Sequence, residues 1–70
     1  MFERLREMRQ SKGYTCGHMA DKMGLTKATY NKKERGQITM TLNDAEKISE
    51  ILGSTVDEIF FADKVSSKEI

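Results

Sequence analysis

Seventy residues, with twelve lysines and arginines against eleven aspartates and glutamates, make one small domain of formal net charge +1. A chain of this size buries only about 60% of its unfolded surface, which leaves no room for an enzyme cleft of ordinary size and makes help from a partner expected. Cys16 is the single cysteine, no N-terminal apolar stretch resembles a signal peptide, and the longest apolar run, Ile59 to Ala62, is far too short for a bilayer, so a reducing cytoplasmic setting is expected.

Hydrophobic spacing along the chain gives helices only. Phe2, Leu5 and Met8 recur at i, i+3 and i+6, and Lys12 and Gly13 close this first helix. Thr15 caps a second helix striped by Met19, Ala20 and Met23, and Gly24 supplies the positive φ that ends it. Thr26 caps a third only two residues later, with Tyr30 as its one large apolar residue, and so tight a junction forces a steep crossing. Leu42, Ala45, Ile48 and Leu52 mark a fourth helix, capped by Thr41 with Asp44 three residues on and ended by Gly53. Val56, Ile59 and Phe60 mark a fifth under Thr55, with Asp57 and Glu58 in a first turn that favours negative charge. The apolar stripes, the five methionines included, read as core, and residues 62–70 as a polar tail that frays. The expected architecture is all-α, five helices over residues 1–61, with a helix-turn-helix at about 15–35.

Charge is distributed unevenly. From Met1 to Ile38, nine cations face four anions, a balance of +5; from Thr39 onward, three cations face seven anions, a balance of −4. The first half suits phosphate and the second does not.

The third helix carries the chemistry. With the helical period counted from Thr26, Tyr30 falls close to the Thr26 side, whereas Arg35, Ala28 and Lys32 fall within one arc on the opposite side. Burying Tyr30 therefore exposes that opposite face, flanked by Lys27 and Asn31 on one side and Thr29 on the other. A helix of this kind fits a major groove about 12 Å wide, where lysine donates to guanine, asparagine reads adenine and an alanine methyl touches thymine.

The pieces L-R-E-M-R at Leu5 to Arg9, G-Y-T at Gly13 to Thr15, M-A-D-K-M-G-L-T at Met19 to Thr26 and K-K-E-R-G at Lys32 to Gly36 follow one another in a telling order. L-x-x-A-x-x-I-x-x-x-L-G from Leu42 and V-D-E-I-F from Val56 complete it. Together they resemble the Xre family, the Cro and lambda-repressor type of helix-turn-helix domain. The resemblance covers roughly the first sixty positions and implies a compact bundle of five helices reading double-stranded DNA. It implies base contacts by Lys27, Ala28 and Lys32, with Thr26, Thr29 and Asn31 varying between base and phosphate, and an ion pair between Arg9 and Glu34 that locks helix 1 to helix 3.

Phosphate contacts are expected from Thr15, Cys16 and the free amides after the cap, from Arg35 and Gln37, and from amides of the loop after helix 3. The family usually has glutamine where Cys16 stands, and a thiol is a poor donor. Gly17 costs roughly 1 kcal/mol relative to alanine inside a helix. Lys33 replaces an apolar residue, its stem expected over the core and its ammonium toward phosphate.

The sequence supports a phage or mobile-element repressor without cofactor or metal, pairing as a homodimer on a palindromic operator through helices 4 and 5, Ile51, Phe60 and Phe61, or Ile38 and Met40. An antitoxin of a toxin–antitoxin pair, or a protein-binding adaptor on the same fold, is the alternative. Catalysis or metal binding by Cys16 and His18 is disfavoured, since positions i and i+2 do not face each other on a helix and a structural zinc needs four ligands.

Overall fold

A computed structural model describes residues 2–61 and contains five helices: α1 (Glu3–Ser11), α2 (Cys16–Met23), α3 (Lys27–Glu34), α4 (Leu42–Leu52) and α5 (Val56–Phe60). The tail expected at 62–70 lies outside the described residues. Among the described residues no helix is long and apolar enough to cross a membrane.

Four of the five helices start on a threonine whose hydroxyl oxygen accepts an amide three residues on: His18 to Thr15, Thr29 to Thr26, Asp44 to Thr41 and Glu58 to Thr55. At Thr41 and Thr55 the carboxylates of Asp44 and Glu58 return the bond to the cap's own amide, which satisfies two orphan donors at once. α1 has no such cap. Instead the Phe2 amide donates to the Glu34 carbonyl at 3.1 Å, tying the start of α1 to the end of α3, and the Phe2 ring meets Phe60 edge-on at 5.5 Å.

The core gathers Leu5, Met19, Ala20, Met23, Tyr30, Ile48, Leu52 and Ile59, so every helix contributes. Methionine is less uniformly interior than the pattern implies: Met19 and Met23 are buried, whereas Met8 and Met40 are half-buried at the margin. Leu42 departs most from its expected role, being 69% exposed. It is the first residue of α4 and lies on the border of an open groove shared with Phe2, Met40 and Phe60, so the buried stripe of that helix begins at Ala45.

Candidate nucleic-acid interface

α2 and α3 meet through Gly24, whose φ of 71° lets the Gly24 and Leu25 amides close α2 onto the Asp21 and Ala20 carbonyls. Thr26 then starts α3 at once. Its hydroxyl accepts from the Thr29 amide at 3.1 Å and donates to the Thr29 hydroxyl at 2.9 Å, so Thr26 is spent on the cap while Thr29 keeps a proton to donate. Thr15 is placed otherwise. Its oxygen accepts from the His18 amide at 3.0 Å, and its hydroxyl donates no hydrogen bond to another described residue.

Tyr30 is fully buried, and Lys27, Ala28 and Lys32 are exposed on the other side of α3, with Thr29 and Asn31 half-buried at its flanks. A methyl built on Gly17 would lie 3.8 Å from the Thr15 hydroxyl and 3.9 Å from Lys27 Cδ. The starts of α2 and α3 therefore stand side by side, and Thr15 and Lys27 border one surface.

Behind α3 runs a buried polar seam. Arg9 Nε and Nη2 donate to the two carboxylate oxygens of Glu34 at 2.9 and 3.1 Å, and Nη1 donates to the Tyr14 carbonyl at 2.8 Å. The Tyr30 hydroxyl adds a 2.7 Å bond to Glu34 Oε2. Burial and then this bond to the carboxylate push the Tyr30 phenol far above its ordinary range, while the bond to Glu34 raises Arg9 further. Sequence reasoning names the Arg9–Glu34 pair but not its two tyrosine partners. The i, i+4 spacing of Tyr30 and Glu34 is the signal that finds one of them.

Two expectations need correction. Lys33 turns away from the interface: its ammonium donates to Asp44 Oδ2 at 2.9 Å and to the Thr39 carbonyl at 3.0 Å. A carboxylate already poised at the start of α4 offers a fixed, partly desolvated partner, which solvated phosphate does not. The first amides of the loop after α3 are also committed, Gly36 to the Lys33 carbonyl and Gln37 and Ile38 to that of Lys32. The orphan carbonyls at a helix end need donors, and the loop supplies them. The side chains of Arg35 and Gln37 remain exposed.

Beside the seam lies a cleft of about 220 Å³ lined by Arg6, Arg9 and Gln10 of α1 and Asn31, Glu34 and Arg35 at the end of α3, with Cys16 of α2 half-buried at its margin. The sequence pattern does not single out Arg6 or Gln10. They follow from Arg9, because they sit three before and one after it on the same helix. His18 is not turned to this cleft's chemistry; its ring lies on Tyr14, with centroids 4.5 Å apart.

The family model for the helix-turn-helix domain matches residues 3–59. The chain belongs to this helix-turn-helix family. One relative, the SPbeta prophage-derived uncharacterized HTH-type transcriptional regulator YonR of Bacillus subtilis, is 44% identical over 79% of this chain and 51% of its own length. Proteins named for HTH-type transcriptional regulation in Pyrobaculum aerophilum and Archaeoglobus fulgidus are 35% and 44% identical over 97% and 74% of the chain, but over only 28% and 16% of their own lengths. The helix-turn-helix chain thus spans about half of the bacterial relative and less of the archaeal ones. No solved structure matches it significantly.

Proposed function

We propose that this chain is a sequence-specific DNA-binding transcriptional regulator of the cytoplasm that inserts α3 into the major groove, and that it carries out no catalysis. The observation that carries the reading is the opposition on α3 between fully buried Tyr30 and exposed Lys27, Ala28 and Lys32. Packing fixes one side of the helix, so the other side presents donors and a methyl in a constant register. Thr15, Arg35 and Gln37 hold the backbone, and the Arg9–Glu34 pair orients the reading helix against α1. It acts as a repressor in this reading, and the prophage origin in the bacterial relative's name supports a phage or mobile-element type.

A single module buries only about 600–1,000 Å² on DNA, so useful discrimination calls for two copies on half-sites about 34–36 Å apart. An apolar groove of about 470 Å³ between Phe2, Met40, Leu42, Val56, Phe60 and Phe61 supports pairing on the α4–α5 side, with Ile38 exposed near it in sequence. Selection of bound duplexes from a random pool at fixed salt tests the reading. A palindromic consensus is the expected outcome, and a pool that remains random rejects sequence-specific binding. Sedimentation of the chain alone and on the selected duplex tests pairing, which a one-to-one complex with a full palindrome would refute.

A further inference from the structure

The cleft beside the buried seam is built from one repeated pattern on two helices. Arg6, Arg9 and Gln10 on α1 and Asn31, Glu34 and Arg35 on α3 each follow i, i+3, i+4 spacing, so each trio shares a face. The middle members, Arg9 and Glu34, bond to each other and form the floor. Both Glu34 oxygens are occupied, by Arg9 and by the Tyr30 hydroxyl, so the only carboxylate in the lining is already neutralised. The side chains of Arg6, Gln10, Asn31 and Arg35 remain, and none donates a hydrogen bond to another described residue. A shallower groove beside them brings in Glu3 and Glu7, yet the ion pairs among the described residues are Arg9–Glu34 and Lys33–Asp44, so Arg6 is not claimed by either acid.

A group entering this cleft meets donors from two sides and a formal charge of +2 from three arginines and one glutamate. Its volume of about 220 Å³ lies below the roughly 300–1,000 Å³ of small-molecule sites, and no aromatic or aliphatic side chain lines it for a base or drug-sized ring to stack on. Guanidinium forks and carboxamide donors are the groups that recognise a tetrahedral oxyanion.

We infer that this cleft is a phosphate-binding subsite in which Arg6 and Gln10 of α1 act together with Asn31 and Arg35 of α3. The inference rests on the DNA-binding reading for its natural ligand, a backbone phosphate beside the groove entered by α3. It assigns Asn31 to the backbone rather than to a base. It also places α1 in the interface, supplying strong donors next to the position where Cys16 supplies a weak one.

The test compares the full chain with its Arg6→Ala and Gln10→Ala variants, and with Arg4→Ala as the control. Arg4 is on the same helix but directs its Nε to the Glu58 carbonyl, outside the cleft. Circular dichroism first establishes that each variant is folded. On the selected duplex near 0.1 M salt, Arg6→Ala is expected to weaken binding about tenfold and to lower the salt slope by about one, with little effect from Arg4→Ala. Titration with inorganic phosphate, followed by NMR, is expected to shift the side-chain amides of Gln10 and Asn31 in the parent and not in Arg6→Ala. Equal losses for Arg4→Ala and Arg6→Ala on DNA, without phosphate shifts, overturn the subsite and leave the DNA reading intact. Phosphate shifts in a chain that binds no duplex keep the subsite, identify a free oxyanion as its ligand and overturn the DNA reading. An Arg6→Ala variant that binds the duplex as the parent does, with no phosphate shift in either, likewise overturns the subsite and leaves the DNA reading intact, whereas a parent that neither binds a duplex nor shifts with phosphate overturns both.

Discussion

Arg9 and Glu34 meet at two points across α1 and α3, with Nε 2.9 Å from one carboxylate oxygen and Nη2 3.1 Å from the other, at 7% and 4% exposure. The third guanidinium nitrogen reaches the Tyr14 carbonyl in the turn between α1 and α2, and the Tyr30 hydroxyl shares a carboxylate oxygen. α1, α3 and the turn that leads into α2 are thereby joined through one set of charge-assisted bonds. Removing Arg9 alone strands a buried carboxylate, and removing Glu34 alone strands a buried guanidinium. Either loss is expected to cost about 3–5 kcal/mol, and replacing both residues by methionine much less than the sum. Urea unfolding of the four proteins of the double-mutant cycle measures the coupling, and additive losses would remove the scaffold role. Tyr30→Phe, which deletes one bond to the carboxylate, is expected to cost about 1.5–3 kcal/mol in the same assay.

Gly17 lies inside α2 with helical backbone, and a methyl added there meets its nearest neighbours at 3.8 and 3.9 Å, ordinary contact distances. No strain opposes the change, and alanine restricts the unfolded chain more than glycine does. Gly17→Ala is therefore expected to stabilise the domain by about 0.4–1 kcal/mol. In a domain of this length that raises the melting temperature by a few degrees, to about 4–8 °C at the upper end. A melting curve unchanged or lowered would mean that the start of α2 is held by something other than helix propensity.

The Lys33–Asp44 contact gives a pH dependence with a definite sign. Partial burial works against the ionised Asp44, but hydrogen bonds from Lys33 and from Thr41 outweigh it and hold the carboxyl below its ordinary range. The folded protein thus gives up this proton more readily than the unfolded chain. The contribution is complete above the unfolded value, near pH 4, and is lost as the pH falls through the folded value beneath it. Asp44→Asn is expected to be less stable than the parent at neutral pH, with the gap narrowing as the solution is acidified below about pH 4. Denaturant titrations at stepped pH check this, and a gap constant across that window would show that the charge contributes nothing.

What could be read from sequence was mostly what is local. Thr15, Thr26, Thr41 and Thr55 are recognisable as caps because the donor each satisfies is three residues away, and the inward direction of Tyr30 follows from helical periodicity. The destination of Lys33 was not legible, because Asp44 becomes its neighbour only when α4 folds back beside the end of α3. The exposure of Leu42 depends likewise on the open groove it borders rather than on the spacing of the stripe. Arg6 and Gln10 look like ordinary solvated residues of α1 until α3 brings Asn31 and Arg35 against them. In the interface, then, side chains on α3 could be sorted by angle, whereas those contributed by a second helix required the packing.

The last prediction separates reading from holding. Lys32 and Lys27 stand on the exposed side of α3, the side proposed to read base edges, while Arg35 caps the end of the helix, exposed, and is proposed to hold the DNA backbone. Loss of a base contact penalises the preferred base pair and leaves the other duplexes nearly as they were. Loss of a phosphate contact penalises every duplex and releases fewer counterions. Lys32→Ala and Lys27→Ala are each expected to cost about 1–3 kcal/mol on the selected sequence and to relax preference at one position. Arg35→Ala is expected to weaken all duplexes alike and to reduce the slope of log K against log salt by about one. Binding isotherms on the selected duplex and on single-position variants of it, across several salt concentrations, distinguish the two patterns. Should all three variants lower affinity uniformly, α3 grips the backbone without reading it, and specificity must come from the shape of the DNA.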